Sequence, residues 1–261
     1  MFSILLAGVP IGIDHRYAFV RKQCADYFSS EAPVFTVSAG EKELAEELSK
    51  CTEELKNTVP DLMGYCESVC LYRKICLELP RYNAFLFHSA AVKQGDSAYI
   101  FSAPSGTGKS THLRLWMRRF GKELAVINGD KPILRLTQEG TFRVYGTPWA
   151  GKEGWQNNIS GELRGICFLE QSPQNRIRRL TPEEGSSRAL QQILFPKEPA
   201  LLTGMLKLTD RLLFSAPLYL LSCNISEEAA ELSFRTLTGT QIGVPFATRF
   251  SLKRNTLFDS P

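Results

Sequence analysis

The chain has 261 residues, 43% of them hydrophobic and 22% charged, a profile of a soluble globular protein with room for one large domain or a core and an appendage. Its net charge of +4 comes from 31 Lys and Arg spread along the sequence, which argues against nucleic acid as a bulk partner. No apolar run approaches the roughly 20 residues needed to cross a bilayer, and the seven cysteines contain no Cys-x-x-Cys pair, so neither a membrane partner nor a zinc centre is expected.

The opening run MFSILLAGVPIGI lacks a basic leader and is broken by Pro10, Gly12 and Asp14. It reads as one buried strand rather than an export signal, with a cytoplasmic location as the expectation. Helices are expected over 17–28 and, strongly charged, over 41–56. The segment 63–79 repeats its apolar residues at helical spacing and puts Cys66 and Cys70 on one face, where buried reduced thiols are expected. Pro60 and Pro80 punctuate the end of this N-terminal α/β region, residues 1–80.

From Ala84 the texture changes, and 84–225 reads as the core of the protein. Residues 85–92 (FLFHSAAV) predict a single strand, Lys93 to Asp96 a turn, and 98–101 a second strand completing a hairpin. The Gly-rich loop APSGTGKST follows, then a helix over 109–120 stopped by Gly121 as a left-handed cap. A strand over 124–127 ends at Asn128-Gly129-Asp130, and further strands are expected at 133–136, 141–145 and 163–169. Beyond Thr181 the pattern is helical. Asn224 with Glu227 predicts the cap of a helix over 227–238 that Gly239 ends, and 226–261 reads as a C-terminal helix and loose tail.

The chemistry concentrates in Ala103 to Thr111, which follows the pattern G-x-x-x-x-G-K-[ST] with Ala103 at the first glycine. Gly106 and Gly108 admit positive φ, so successive main-chain amides can converge on phosphate oxygens, and the helix that follows adds its positive dipole end. The spacing predicts ATP phosphates on Ser105, Gly106, Thr107, Gly108, Lys109, Ser110 and Thr111. Lys109 reaches the β- and γ-phosphates, and the Ser110 hydroxyl holds Mg²⁺. Asp130, closing the next strand, is placed to bind the metal or to accept a hydroxyl proton; its competing reading is an ordinary turn aspartate.

A strand carrying His88 (FHSAAV), then APSGTGKST, then VINGD resembles the catalytic domain of HPr kinase/phosphorylase, and the loop is similar to that of the phosphoenolpyruvate carboxykinases, which share that fold. The resemblance covers roughly residues 84–180. It implies an α/β core on a strongly bent mixed sheet, ATP with Mg²⁺, transfer to a hydroxyl, and a homo-oligomer. It also implies catalytic work for Asp130, Lys109 and His88. Gly129 stands where the family has the first of two aspartates, and 145–152 departs from the family's Arg-Gly-Leu-Gly signature. Arg135 and Lys152 are candidates for contacting substrate or phosphate, Trp149 for walling a pocket. Two readings stay open: an ATP-dependent kinase acting on a protein serine or a small metabolite, and a nucleotide-binding regulatory or accessory protein without efficient transfer.

Overall fold

The computed structural model describes residues 1–240, so the tail expected over 249–261 lies outside the described residues. Two sheets organise the chain. In the smaller, β1 (Phe2–Leu6) and β2 (Val9–Asp14) are antiparallel, and β3 (Phe35–Ser38) runs parallel to β2. The single strand expected at the N-terminus is therefore a hairpin. Ala7 and Gly8 form its turn at φ 50° and 71°, the backbone that a two-residue hairpin turn demands. The turn escapes notice in the sequence because it is flanked by buried Leu6 and Val9 rather than by polar residues.

Helix α1 (Ala18–Gln23) is shorter than expected, because the chain tightens into a 3₁₀ turn at Ala25–Tyr27. The charged stretch forms two helices, α2 (Glu41–Ser49) and α3 (Glu53–Thr58), since the Thr52 hydroxyl accepts the Leu55 amide and starts a new helix. Helix α4 (Leu62–Glu78) turns Cys66, Cys70 and Cys76 into the N-terminal core as free thiols. Burial pushes the Cys66 and Cys76 thiols up to about 12, which keeps them protonated. Buried Glu67 on the same helix accepts the amides of Arg16 (2.7 Å) and Tyr17 (3.0 Å), fixing the entry to α1.

The larger sheet contains β4 (Ala84–Leu86), β5 (Ala90–Gln94), β6 (Ser97–Ser102), β7 (Ala125–Asn128), β8 (Ile133–Leu136), β9 (Phe142–Tyr145), β10 (Ser160–Gln171), β11 (Arg176–Leu180) and β12 (Leu218–Cys223). Its order is β4-β8-β9-β10-β6-β5-β7, with β12 beside β10 and β11 outside β12. Long β10 joins the two regimes. Its start pairs antiparallel with β9, its middle runs parallel to β6, and Ile166 to Gln171 run parallel to β12. The Gly129 amide bonds to Trp155 O (2.8 Å) and the Asn157 amide to Ile127 O (3.1 Å), drawing edge strand β7 back toward the start of β10. The result is a mixed α/β fold on a curled mixed sheet.

Alternation along β6 shows how helices cover both faces. Ala98 and Ile100 point into a core with α6 (Pro182–Leu190) and α7 (Pro199–Ser215), whereas Tyr99 and Phe101 point into a core with α5 (Lys109–Phe120) and α8 (Glu227–Thr238). Helix α8 packs directly on α5: Phe120 and Phe234 stack at 3.9 Å, and Arg119 pairs with Glu231 at 3.0 Å. It is thus part of the core rather than a separate C-terminal segment. The Ser226 hydroxyl, not Asn224, caps it by accepting the Ala229 amide, and Gly239 ends it at φ 70°. Gly121 ends α5 differently from expectation. It is right-handed, and its lack of a Cβ matters because one would collide with the Met117 carbonyl.

The strand expected over 85–92 is also two strands in different places. The ladder breaks at Phe87-His88-Ser89, where the His88 amide turns to Gln192 O (2.8 Å) and the Ser89 amide to Asp130 O (3.2 Å). No described helix is long and apolar enough to cross a membrane.

Between α5 and α8, His112 Nε2 lies 2.9 Å from the Ser233 hydroxyl, which also accepts Trp116 Nε1–H at 2.8 Å. That hydroxyl also lies 3.0 Å from both the Ala229 and Ala230 carbonyls, which can accept its proton when Nε2 donates. Burial pushes His112 down to about 4. Above the ordinary value of about 6.5 the ring is neutral folded and unfolded alike, with no pH effect. Below it the unfolded chain takes up a proton that the folded chain resists. Stability should therefore fall by up to about 3 kcal/mol between pH 6.5 and 4. Urea titrations across that range check this: the slope should flatten in His112→Gln, which titrates nowhere in the window.

Candidate functional site

The glycine loop leaves the C-terminal end of β6 and enters α5. Gly106 (φ 80°) and Gly108 (φ 118°) take conformations that L side chains avoid, and a Cβ at either would meet only open space. Backbone shape, not crowding, sets the glycines here. The His112 amide closes the first turn of α5 on Gly108 O (2.9 Å), so the amides of Lys109, Ser110 and Thr111 have no intrahelical partner. The first turn has no capping side chain and no acidic residue, and it carries Lys109 instead. A lysine there opposes the helix dipole, a cost that a bound anion would offset.

Lys109 is 7% exposed and donates from Nζ to Ala103 O at 2.8 Å, folding the loop on itself. Burial pulls its pKa below the ordinary lysine value, and the Asp130 carboxylate opposes that fall. Asp130 sits across the cleft. Burial favours its neutral form, but the His88 hydrogen bond, with the charges of His88, Lys131 and Lys109, wins and holds its carboxyl below the usual range. His88 Nε2 lies 3.0 Å from Asp130 Oδ1, and Nδ1 lies 3.1 Å from Gln192 Oε1. A doubly protonated ring satisfies both acceptors; a neutral Nε2–H ring does so with the Gln192 amide turned over.

The loop bearing Asp130 is fixed from below by Asn128. Its side-chain oxygen accepts the amides of Asp130 (2.9 Å) and Lys131 (2.7 Å). Its amide nitrogen donates to Thr147 O (3.1 Å), Thr147 Oγ1 (3.2 Å) and Trp149 O (2.9 Å). Behind this knot, Tyr72 of α4 stacks on Trp149 at 4.3 Å and donates to Lys131 O (2.8 Å), while Trp149 Nε1 donates to the Ser68 hydroxyl (2.8 Å). Helix α4 thus buttresses the loop that bears Asp130.

These elements enclose a cleft of about 470 Å³ lined by His88, Ser105, Gly106, Gly108, Lys109, Ser110, Thr111, Asp130, Gly151, Lys152 and Glu153. The structure brings together there most of the residues singled out in the sequence. Thr107 faces a neighbouring cavity instead. Lys152 stands at the rim with a 90% exposed side chain, 3.7 Å from Glu54 of α3.

Two expectations are corrected. Arg135 does not line the cleft: β8 carries it toward the N-terminal sheet, where its guanidinium donates to Ala7 O at 2.7 Å beside Gly8. Trp149 does not line the cleft, being buried in the N-terminal core by its stack on Tyr72.

Two residues escape the sequence reading. Gln192, in the stretch beyond Thr181 that reads as helical, lies just past α6, 7% exposed, against His88. Glu153 reaches the cleft near Asp130: a Cβ placed on Gly151 would lie 3.4 Å from Glu153 Oε2 and 3.6 Å from Asp130 Cγ. A carboxylate following a Gly-Lys pair in a second Gly-bearing loop was the available signal.

No protein-family model and no curated protein matches the chain. Among solved structures it is similar to the Hpr(Ser) kinase/phosphatase from Coxiella burnetii, at 16% identity over 48% of this chain and 86% of that one, with a TM-score of 0.26.

Proposed function

We propose that the chain binds the polyphosphate of ATP on the glycine loop and transfers the terminal phosphoryl group to a hydroxyl acceptor, a protein serine or a small metabolite. One observation carries this reading: the paired Asp130 and His88 face Lys109 and Ser110 across one cleft beneath the uncapped N-terminus of α5. Phosphoryl transfer asks for positioning and charge stabilisation more than for covalent participation by the protein. The loop amides and the Lys109 ammonium supply the positive field. The acceptor oxygen attacks the terminal phosphorus, the bond to the bridging oxygen breaks, and the diphosphate leaves with that electron pair. The acceptor proton passes to the Asp130 carboxylate, with His88 fixing which carboxylate oxygen stays free.

The oxygen donors in the cleft suit a hard divalent cation: the Ser110 hydroxyl and the Asp130 and Glu153 carboxylates would hold Mg²⁺ together with phosphate oxygens. When bound, that ion neutralises phosphate charge. Glu153 would take over the acidic part that Gly129 cannot play. Glu153→Gln should raise the Mg²⁺ concentration needed for half-maximal ATP binding by about tenfold. Calorimetric titrations of ATP at stepped Mg²⁺ concentrations read this, and an unshifted requirement removes Glu153 from the set.

Gly129 favours the second reading, a nucleotide-binding regulator: its place is packed against Trp155, with no side chain beyond a hydrogen. Incubation with γ-labelled Mg·ATP and a panel of hydroxyl acceptors separates the two. Label transferred to an acceptor supports the kinase; tight binding without transfer supports the regulator; absence of triphosphate affinity removes both.

A further inference from the structure

The glycine loop has a second side. Gly106, Gly108 and Thr111 line the phosphate cleft and also a larger cavity of about 610 Å³ whose walls include Leu115, Leu169, Pro173 and Ile225. Strands β6, β10 and β12 are mutually parallel, and the cavity opens among the loops that follow their C-terminal ends, where open parallel α/β sheets receive ligands. Its size falls within the roughly 300–1,000 Å³ of small-molecule sites.

The two cavities differ in charge. Lys109, Lys152, Asp130 and Glu153 line the cleft, whereas among the described residues no Lys, Arg, Asp or Glu lines the larger cavity. Its histidine, His112, is held neutral by burial. Ile225 is a large apolar side chain left 80% exposed at the mouth. The rim is braced: Asn224 donates from Nδ2 to Pro173 O (3.0 Å) and from its amide to Asn175 Oδ1 (3.0 Å), and Gln171 Nε2 donates to Thr107 O (3.3 Å). A ligand with a charged end and an uncharged flat end would span the loop, its charges in the cleft and its flat end here.

We infer that this cavity is the nucleoside subsite: the uncharged base and sugar lie against Leu115, Leu169 and Pro173 under Ile225, and the acceptor enters from the opposite, Lys152 side of the loop. The inference rests on the polyphosphate reading of the cleft. Calorimetry on the full chain with Mg²⁺ compares ATP with inorganic tripolyphosphate, in the native protein and in Ile225→Ser, whose exposed position leaves folding untouched. ATP should bind at least about tenfold more tightly than tripolyphosphate, and Ile225→Ser should remove most of that advantage while leaving tripolyphosphate affinity unchanged. Equal affinity for the two ligands overturns the subsite and leaves the phosphate cleft standing. An ATP advantage that Ile225→Ser does not touch places the base elsewhere and also overturns it. Failure of both ligands to bind ends the polyphosphate reading, and the subsite with it.

Discussion

Lys109→Ala should lower ATP-dependent phosphoryl transfer by about 10²–10³-fold, the scale on which a single preorganised charge acts in a water-poor site. The side chain is poised for that work. Its ammonium is buried and bonded at 2.8 Å to Ala103 O, a neutral partner that a phosphate oxygen would outcompete. Desolvation favours losing the proton, and the Asp130 carboxylate opposes that loss, so charge at one wall of the cleft sustains charge at the other. Removing the lysine therefore does two things: it takes away the cation and relaxes the pull on Asp130. Lys109→Arg should rescue little, because a planar fork does not fit a pocket built around a compact ammonium. Transfer of label from γ-labelled ATP measures the effect, with near-ultraviolet circular dichroism confirming the fold. Transfer at the native rate in Lys109→Ala would falsify the assignment of the loop.

What the sequence made legible follows from the range of the interactions involved. Helices α5 and α8 lie where spacing predicts them, over Lys109–Phe120 and Glu227–Thr238, because an amphipathic period determines them, although Ser226 rather than Asn224 caps α8 and Gly121 ends α5 in a right-handed conformation. The grouping of the glycine loop and Asp130 on one cleft also has a local source, since each follows a strand end in one contiguous stretch; His88 is expected inside a strand, and only the family resemblance puts it with them. Long-range partners left no such trace. The strand over 85–92 breaks at His88 because Gln192 and Asp130, distant in the chain, take its amides. Apolar run and buried break look alike in composition. Arg135 is indistinguishable by type from a phosphate ligand, and only the register of β8 against β4 sends it to Ala7. Trp149 sits in a loop with the composition of a ligand contact, yet Tyr72 of α4 claims its face. Strands β11 and β12 lack clear period-2 polarity: β11 has no counterpart among the expected strands, and β12 falls in the stretch beyond Thr181 that reads as helical.

Asn128→Asp, a change of one atom, should cost about 3–5 kcal/mol, because it puts an unpaired charge or an unsatisfied acceptor where a buried amide belongs. Asn128 is fully buried, and it joins three stretches of chain by donating on one side and accepting on the other. In the aspartate the accepting oxygen keeps the Asp130 and Lys131 amides. The other oxygen is turned on the Thr147 and Trp149 carbonyls, which have only lone pairs to offer. Protonation relieves one of these contacts, so the penalty should shrink as pH falls through the carboxylate range. Urea unfolding gives the cost, with an unchanged m-value as the sign that the native state is intact. Thr147→Val strips a hydroxyl from the same knot, and the double variant should cost less than the two single costs together, since both remove one network. Additive losses, or a single loss under 1 kcal/mol, would mean that the placement of Asp130 is set by the surrounding strands and not by this side chain.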